Sequence, residues 1–255
     1  MTLLSATHLA VTIGTRPICH DFNFVLQAGE CWGILGGNGI GKTTLLQTLA
    51  GLRQPLQGEI SITGKPLAQW QRKPLAQRVG ILFQDSQDMF PSTVLETALT
   101  GRHPYLPFWS LEGDADLAIA VEALRQTGLE SMQERQVNTL SGGERRRLAI
   151  ATLLVQSPLI WLLDEPTNHL DLRHQIRMLE LLGERVNSGG GGMVMVLHDV
   201  NHVLRFCTHA VLMVDAGTIL CGPVREVITP ESLESLYQHP VRRVRVGGED
   251  LYYPG

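Results

Sequence analysis

Apolar positions along this chain fall into three rhythms. Near the N-terminus they alternate: Leu9/Val11/Ile13 and Phe22/Phe24/Leu26 recur every second residue, the spacing of strands with one buried face. Later runs are continuous: Cys31–Leu35, Val79–Phe83, Leu159–Leu163, Met193–Leu197 and Ala210–Val214. Unbroken apolar stretches of this length suit strands covered on both faces. Glu59–Thr63, closed by Gly64-Lys65-Pro66, predicts a short edge strand, and Ala210–Val214 and Thr218–Leu220 flank a turn at Asp215–Gly217. The third rhythm is helical. Lys42–Ala50 sets Leu45, Leu46 and Leu49 on one face before a stop at Gly51. Asp114–Thr127, capped by Asp114 and stopped by Gly128, Leu172–Val186, Asp199–Cys207 and Pro230–Tyr237 follow the same logic. Thr93 with Glu96 predicts a capping box, and Ser141–Glu144 opens a helix that runs to Gln156, where Ser157-Pro158 ends it.

Strands and helices alternate on either side of a segment that has little strand character. This predicts an α/β fold, with a mixed sheet, an antiparallel β edge and an inserted α-helical subdomain. Its core is expected over 1–85 and 158–230, the helical insertion over 86–157, and a short C-terminal tail over 231–255.

A length of 255 residues, 44% hydrophobic and 18% charged, supports a full hydrophobic core. Lys+Arg of 21 against Asp+Glu of 25 leaves −4, so no basic field points to nucleic acid as a partner. The clusters Arg145–Arg147 and Arg242–Arg245 read as solvated faces or as contacts to acidic groups of a partner. Cys19, Cys31, Cys207 and Cys221 show no metal or redox spacing and read as small core residues in a reducing compartment. No positive charge precedes Arg16, and no apolar run approaches the about 18 residues of a membrane span. The expectation is a cytoplasmic protein that reaches any membrane through a partner.

Gly36-Gly37-Asn38-Gly39-Ile40-Gly41-Lys42-Thr43-Thr44 fits G-x-x-x-x-G-K-[ST], a phosphate-binding loop, and lies between a strand and a helix as that loop must. Glycines let main-chain N–H groups curl around phosphate, and the new helix presents its positive end. Lys42 is placed to reach the β- and γ-phosphates and the Thr43 hydroxyl to ligate Mg²⁺. Asp164 and Glu165 end the buried run Leu159–Leu163, at the end of a parallel sheet where ligands bind. Asp164 suits a hard cation on phosphate oxygens, and Glu165, one residue further out, suits a general base toward water. Ser141-Gly142-Gly143-Glu144 combines a capping box with two helix-poor glycines. Such a combination is costly unless something approaches the backbone closely, as an anion would.

With these motifs in order, the chain resembles the ATP-binding cassette (ABC) transporter ATPases over about residues 3 to 230. Gly36–Thr43 matches Walker A, and Leu140–Glu144 matches the signature motif, with Glu where Gln is commoner. Leu159–Asp164 matches Walker B and Gln84 the Q-loop. Asn168-His169-Leu170-Asp171 matches the D-loop, and His198 the switch histidine. The resemblance implies a P-loop NTPase (RecA-like) core that uses ATP and Mg²⁺. Two copies would close head to tail, each ATP held between Walker A of one and Ser141–Glu144 and Asp171 of the other. Glu165 would be the general base, His198 would hold the γ-phosphate and water, and Gln84 would touch Mg²⁺ and link the site to a transmembrane permease. The aromatic ring that the family commonly stacks on adenine is missing: it would fall near Ile13, and no Tyr, Phe or Trp lies in Leu9–Cys19.

Within the family, Gly101–Leu106 and Leu170–Gln175 are similar to importers of iron complexes and cobalamin, with haem placed ahead of siderophore and cobalamin. Such a system adds a periplasmic or surface substrate-binding protein, and the chain would sit on the cytoplasmic face of the inner membrane. The importer's coupling helix would dock near Gln87–Ser92. Two other readings are soluble ABC proteins of translation or DNA repair, and cassettes that trap ATP without hydrolysis. The first needs a second cassette or a long inserted coiled coil, and the second sits poorly with intact Glu165 and His198.

Overall fold

A computed structural model describes residues 1–84, 91–107, 109–215 and 217–255; Asp85–Phe90, and with them most of the expected coupling-helix dock, lie outside the described residues, as do Phe108 and Ala216. In chain order, β1 (Thr2–Ile13) and β2 (Arg16–Gln27) form an antiparallel pair. β3 (Cys31–Gly36) leads through the glycine loop into α1 (Lys42–Leu49), and β4 (Gln57–Ile62) and β5 (Lys65–Pro66) return toward β1. α2 (Arg72–Ala76) precedes β6 (Val79–Leu82). Then come α3 (Val94–Leu99), α4 (Asp114–Gln126) and α5 (Gly142–Gln156). The alternation resumes with β7 (Ile160–Asp164), α6 (Leu172–Gly189), β8 (Gly192–Val196), α7 (Val200–Phe206), β9 (His209–Met213) and β10 (Ile219–Pro223). α8 (Val224–Val227), α9 (Pro230–Tyr237), β11 (Val241–Val246) and β12 (Glu249–Pro254) complete the chain.

Two sheets clasp α1. The antiparallel sheet has the order β2-β1-β4-β5, and the larger one β10-β9-β3-β8-β7-β6, parallel except for β10. Leu45, Leu46 and Leu49 are buried among residues of both sheets, including Leu4, Ile18, Ile62, Ile34, Leu162 and Val194. With apolar neighbours from both sheets, α1 is held inside one shared core. The other face of the parallel sheet packs on α5, α6 and α7 through Leu163, Met195, Leu154, Leu182 and Val203. Both faces of β7 and β8 are therefore covered, as their unbroken apolar sequences require.

Several sequence expectations change. Glu59–Ile62 lies in an inner strand, because β5 adds outside β4, and Thr63 begins the turn between them. Helix α4 is capped by Gly113, whose N–H donates to Asp116 Oδ2 at 3.1 Å, so Asp114 is its first residue and not its cap. Cys19, Cys31 and Cys207 are buried, but Cys221 is exposed on β10, a strand at the sheet edge. Residues past α9 form the hairpin of β11 and β12, anchored by Tyr252, which is buried and donates its hydroxyl to Ile228 O at 3.1 Å.

Candidate active site

Strand register assembles the site. β3, β8 and β7 pair side by side with Ile34 opposite Val196 and Val196 opposite Asp164, and β7 pairs β6 with Leu163 opposite Leu82. The residues just beyond these positions are Gly36–Thr44, His198, Glu165 and Gln84. They stand together at the C-terminal edge of one parallel sheet, where open α/β folds hold ligands.

Gly41 has φ +115°, and a Cβ there would lie 2.3 Å from Ile18 Cδ1, so the turn into α1 requires glycine twice over. Gly37, Asn38 and Gly39 are exposed, and Ile40 closes a turn by donating its N–H to Gly37 O at 3.4 Å. Lys42 is buried; its Nζ donates to Gly36 O at 2.8 Å and Gly37 O at 3.0 Å. Burial pushes its ammonium pKa down, and the carboxylates of Glu165 and Asp164 oppose this. Thr44 is buried in the core, while the Thr43 side chain lies beside Asp164. Burial pushes the Asp164 carboxyl up, with Thr43 opposing, and its Oδ1 is buried with no hydrogen-bond partner.

Glu165 is the convergence point. His198 Nε2 lies 2.7 Å from its Oε1, and Gln84 Nε2 and Asn168 Nδ2 donate to its Oε2 at 3.2 and 3.3 Å. Its φ is +50°, a left-handed conformation that non-glycine residues rarely hold and that re-aims the side chain as the strand ends. Its N–H donates to Val196 O at 3.2 Å, which keeps this turn against β8.

Ser141 caps α5, accepting from Glu144 N at 3.3 Å, while Ser141 N donates to Glu144 Oε2 at 2.7 Å. These bonds hold the Glu144 carboxyl below its usual range. Ser141 and Gly142 are exposed, and among the described residues no hydrogen bond or ion pair joins Ser141–Glu144 to Gly36–Thr44. Asp171 caps α6, accepting from His174 N at 2.9 Å, so part of its carboxylate serves the fold.

The sequence profile of the family described as ABC transporter matches residues 19–168. The chain belongs to that family. It is 34% identical over 234 residues to the ferric enterobactin transport ATP-binding protein of Escherichia coli (strain K12), covering 92% of this chain and 86% of that one. It is 32% identical over 247 residues to the hemin import ATP-binding protein of Methylobacillus flagellatus, covering 93% and 90%. A metal-chelate type ABC transporter solved in an inward-facing conformation superposes with TM-score 0.86 at 27% identity, covering 100% of this chain and 98% of that one. A dimeric cassette in a post-hydrolysis state bound to ADP and Pi superposes with TM-score 0.77 at 26% identity, covering 88% and 99%. This ABC protein is an ATPase of the transport class, with the P-loop core and helical insertion its sequence predicts. Among its described residues, no helix is long and apolar enough to cross a membrane.

Two residues escaped the sequence reading. Asn168 entered it only as part of the D-loop, and its contact to Glu165 follows from the turn after β7. Arg146 belongs to a cluster expected as a solvated face or a contact to a partner's acidic groups, yet it is 6% exposed. The available signal was helical spacing, because Arg146 shares one face with Ile150 and Leu153, both buried.

Proposed function

We propose that the chain is the ATP-hydrolysing subunit of an importer for a metal chelate, driven by head-to-tail closure of two copies around ATP. The observation that carries this reading is the convergence of Gln84, Asn168 and His198 on the Glu165 carboxylate beside the glycine loop. In this reading the main-chain N–H groups of Gly36, Gly37, Asn38, Gly39, Ile40 and Gly41 cradle the phosphates, with Thr44 fixing the loop to the core. Lys42 turns from its carbonyl partners to the β- and γ-phosphates.

The orphaned Asp164 Oδ1, the Thr43 hydroxyl and the Gln84 side chain are oxygen donors, and such a set fits Mg²⁺. Mg²⁺ on the phosphate oxygens would draw off the charge that builds there. Glu165 takes a proton from the water that attacks the γ-phosphorus, as the bond to the ADP oxygen breaks. His198 orients that water and the γ-phosphate, and Asn168 and Gln84 hold the base in place. Ser141, Gly142, Gly143 and Glu144 of the second copy, with its Asp171, close over the γ-phosphate. The exposed helix N-terminus and the dimeric post-hydrolysis neighbour support this arrangement.

Transmembrane permease subunits receive the stroke through the Gln84 segment and the loop after Gly101. That loop is tied down by Tyr105, whose hydroxyl donates to Gln156 O at 2.8 Å, while Leu111 stands 87% exposed beyond it. A substrate-binding protein would deliver cargo from outside, with this subunit on the cytoplasmic face of the inner membrane. The names of the quoted relatives, one for ferric enterobactin and one for hemin, support an iron chelate, and haem is the member we propose first. Coexpression with its permease and reconstitution in lipid is the test. ATPase activity should change several-fold on assembly, and the purified complex given haem should hold its visible absorption band. Retention of a ferric siderophore or cobalamin instead would replace haem, and failure to assemble with any permease would overturn the importer reading.

A further inference from the structure

Beyond its C-terminal edge, the parallel sheet comes apart. β6 ends at Leu82 and β7 at Asp164, so the carbonyls of Phe83, Gln84, Glu165 and Pro166 have left the ladder between those strands. A carbonyl that leaves a ladder needs another donor or water; Glu165 O takes one from Asn168 N at 3.0 Å. One side chain supplies donors to both strand ends. Arg146 Nη1 donates to Phe83 O at 2.5 Å and Gln84 O at 3.4 Å. Its Nη2 donates to Glu165 O at 2.6 Å and also to Asp164 O, and its Nε donates to Pro166 O at 3.3 Å. A planar guanidinium can span two segments in this way, whereas an ammonium is a single point of charge.

Arg146 belongs to neither strand. It projects from the second turn of α5, the helix whose first turn is Ser141–Glu144. The same helix end also packs on the turn after β7: a Cβ on Gly143 would lie 2.9 Å from His169 O. The N-terminus of α5 is thus fastened to the peptide carrying Glu165 and to the peptide carrying Gln84.

We infer that Arg146 is a positioning residue that links the two ATP sites of a closed pair. This inference rests on the reading that Ser141–Gly143 engages the other copy's ATP. When the first turn of α5 is drawn onto that γ-phosphate, Arg146 carries the displacement to the main chain of Glu165 and Gln84 in its own site. Each site then reaches hydrolytic geometry only when the opposite one is filled, which makes hydrolysis cooperative in ATP.

The test compares the wild-type chain with Arg146→Lys and Arg146→Gln by equilibrium ATP binding, kcat, KM and Hill coefficient. Dimer formation is followed on a Glu165→Gln background. The inference predicts ATP binding by the single subunit within about twofold of wild type, since the main-chain partners of Arg146 lie at the ends of β6 and β7 and not in Gly36–Thr44. It predicts kcat down roughly tenfold or more, and a Hill coefficient falling from near 2 toward 1, with Arg146→Lys no better than Arg146→Gln because the fork is what counts. Activity and cooperativity of Arg146→Lys equal to wild type would overturn it. So would a lower kcat at an unchanged Hill coefficient, which would make Arg146 a local support only. Absence of ATP-dependent dimers with Arg146 intact would instead refute the trans-site reading on which the inference stands. Should neither variant fold, the guanidinium ¹⁵N signals of Arg146 in the otherwise unaltered Glu165→Gln chain decide. They should be protected from exchange and shift on ATP-driven dimerisation; unprotected or unshifted signals would overturn the link.

Discussion

Ile13 stands 42% exposed at the end of β1, and across the turn Arg16 Nη1 donates to Gly39 O at 3.1 Å. The hairpin tip is therefore fastened to the glycine loop, although it offers no aromatic face to a base. If adenine lies against this tip, Ile13→Tyr adds a ring where now there is only aliphatic contact. Ring stacking contributes about 0.5–1.5 kcal/mol, or roughly two- to tenfold in affinity. Titration of the variant with ATP should show tightening of that order, with little effect on binding of inorganic triphosphate. Equal affinity for ATP in variant and wild type would put the base elsewhere. Glu165 shows a different residue-scale feature. Its positive φ and three side-chain partners fix one carboxylate direction, so its role depends on the turn after β7 as much as on its own chemistry.

At the scale of elements, the two glycines of the signature turn out to differ. A Cβ on Gly142 would meet His169 Cβ at 3.5 Å, an ordinary contact, whereas one on Gly143 would meet a main-chain oxygen at 2.9 Å. Alanine favours a helix over glycine by about 1 kcal/mol, so Gly142→Ala should leave folding stability unchanged or slightly raised. Gly143→Ala must push α5 from the turn after β7 and should cost about 1–3 kcal/mol. Urea unfolding of both variants tests the contrast, and equal midpoints would contradict it. Elements were legible wherever pattern and punctuation agreed. α9 runs over Pro230–Tyr237 as its Thr229-Pro230 start and apolar spacing predict, and both capping boxes form. The hairpin of β11 and β12 was not legible. Its arginines and valines, with Arg242 and Arg243 adjacent, break the period of two on a largely exposed ribbon, and long-range contacts through Asn201 and Tyr252 stabilise it. Arg146 was hidden for the opposite reason, since three arginines in a row look solvated until the helical face of the middle one is traced into the core.

For the molecule as a whole, the two-sheet clasp buries the helix that follows the glycine loop, while Ser141 and Gly142 are left exposed at the start of α5. The order of motifs made the chemistry of one site readable, because strand ends in a parallel sheet meet at one edge. What remained unreadable was the mechanical link between sites, which lies in main-chain carbonyls that carry no sequence signal. In the proposed pair, one chain holds halves of two different sites. Light scattering during size exclusion of Glu165→Gln, with and without ATP, and of Glu165→Gln combined with Ser141→Arg tests this arrangement. The single variant should form ATP-dependent dimers, with hydrolysis down roughly a hundredfold or more. The double variant should remain monomeric and still bind ATP. Hydrolysis near the wild-type rate by Glu165→Gln, or ATP-dependent dimers of the double variant, would contradict the arrangement.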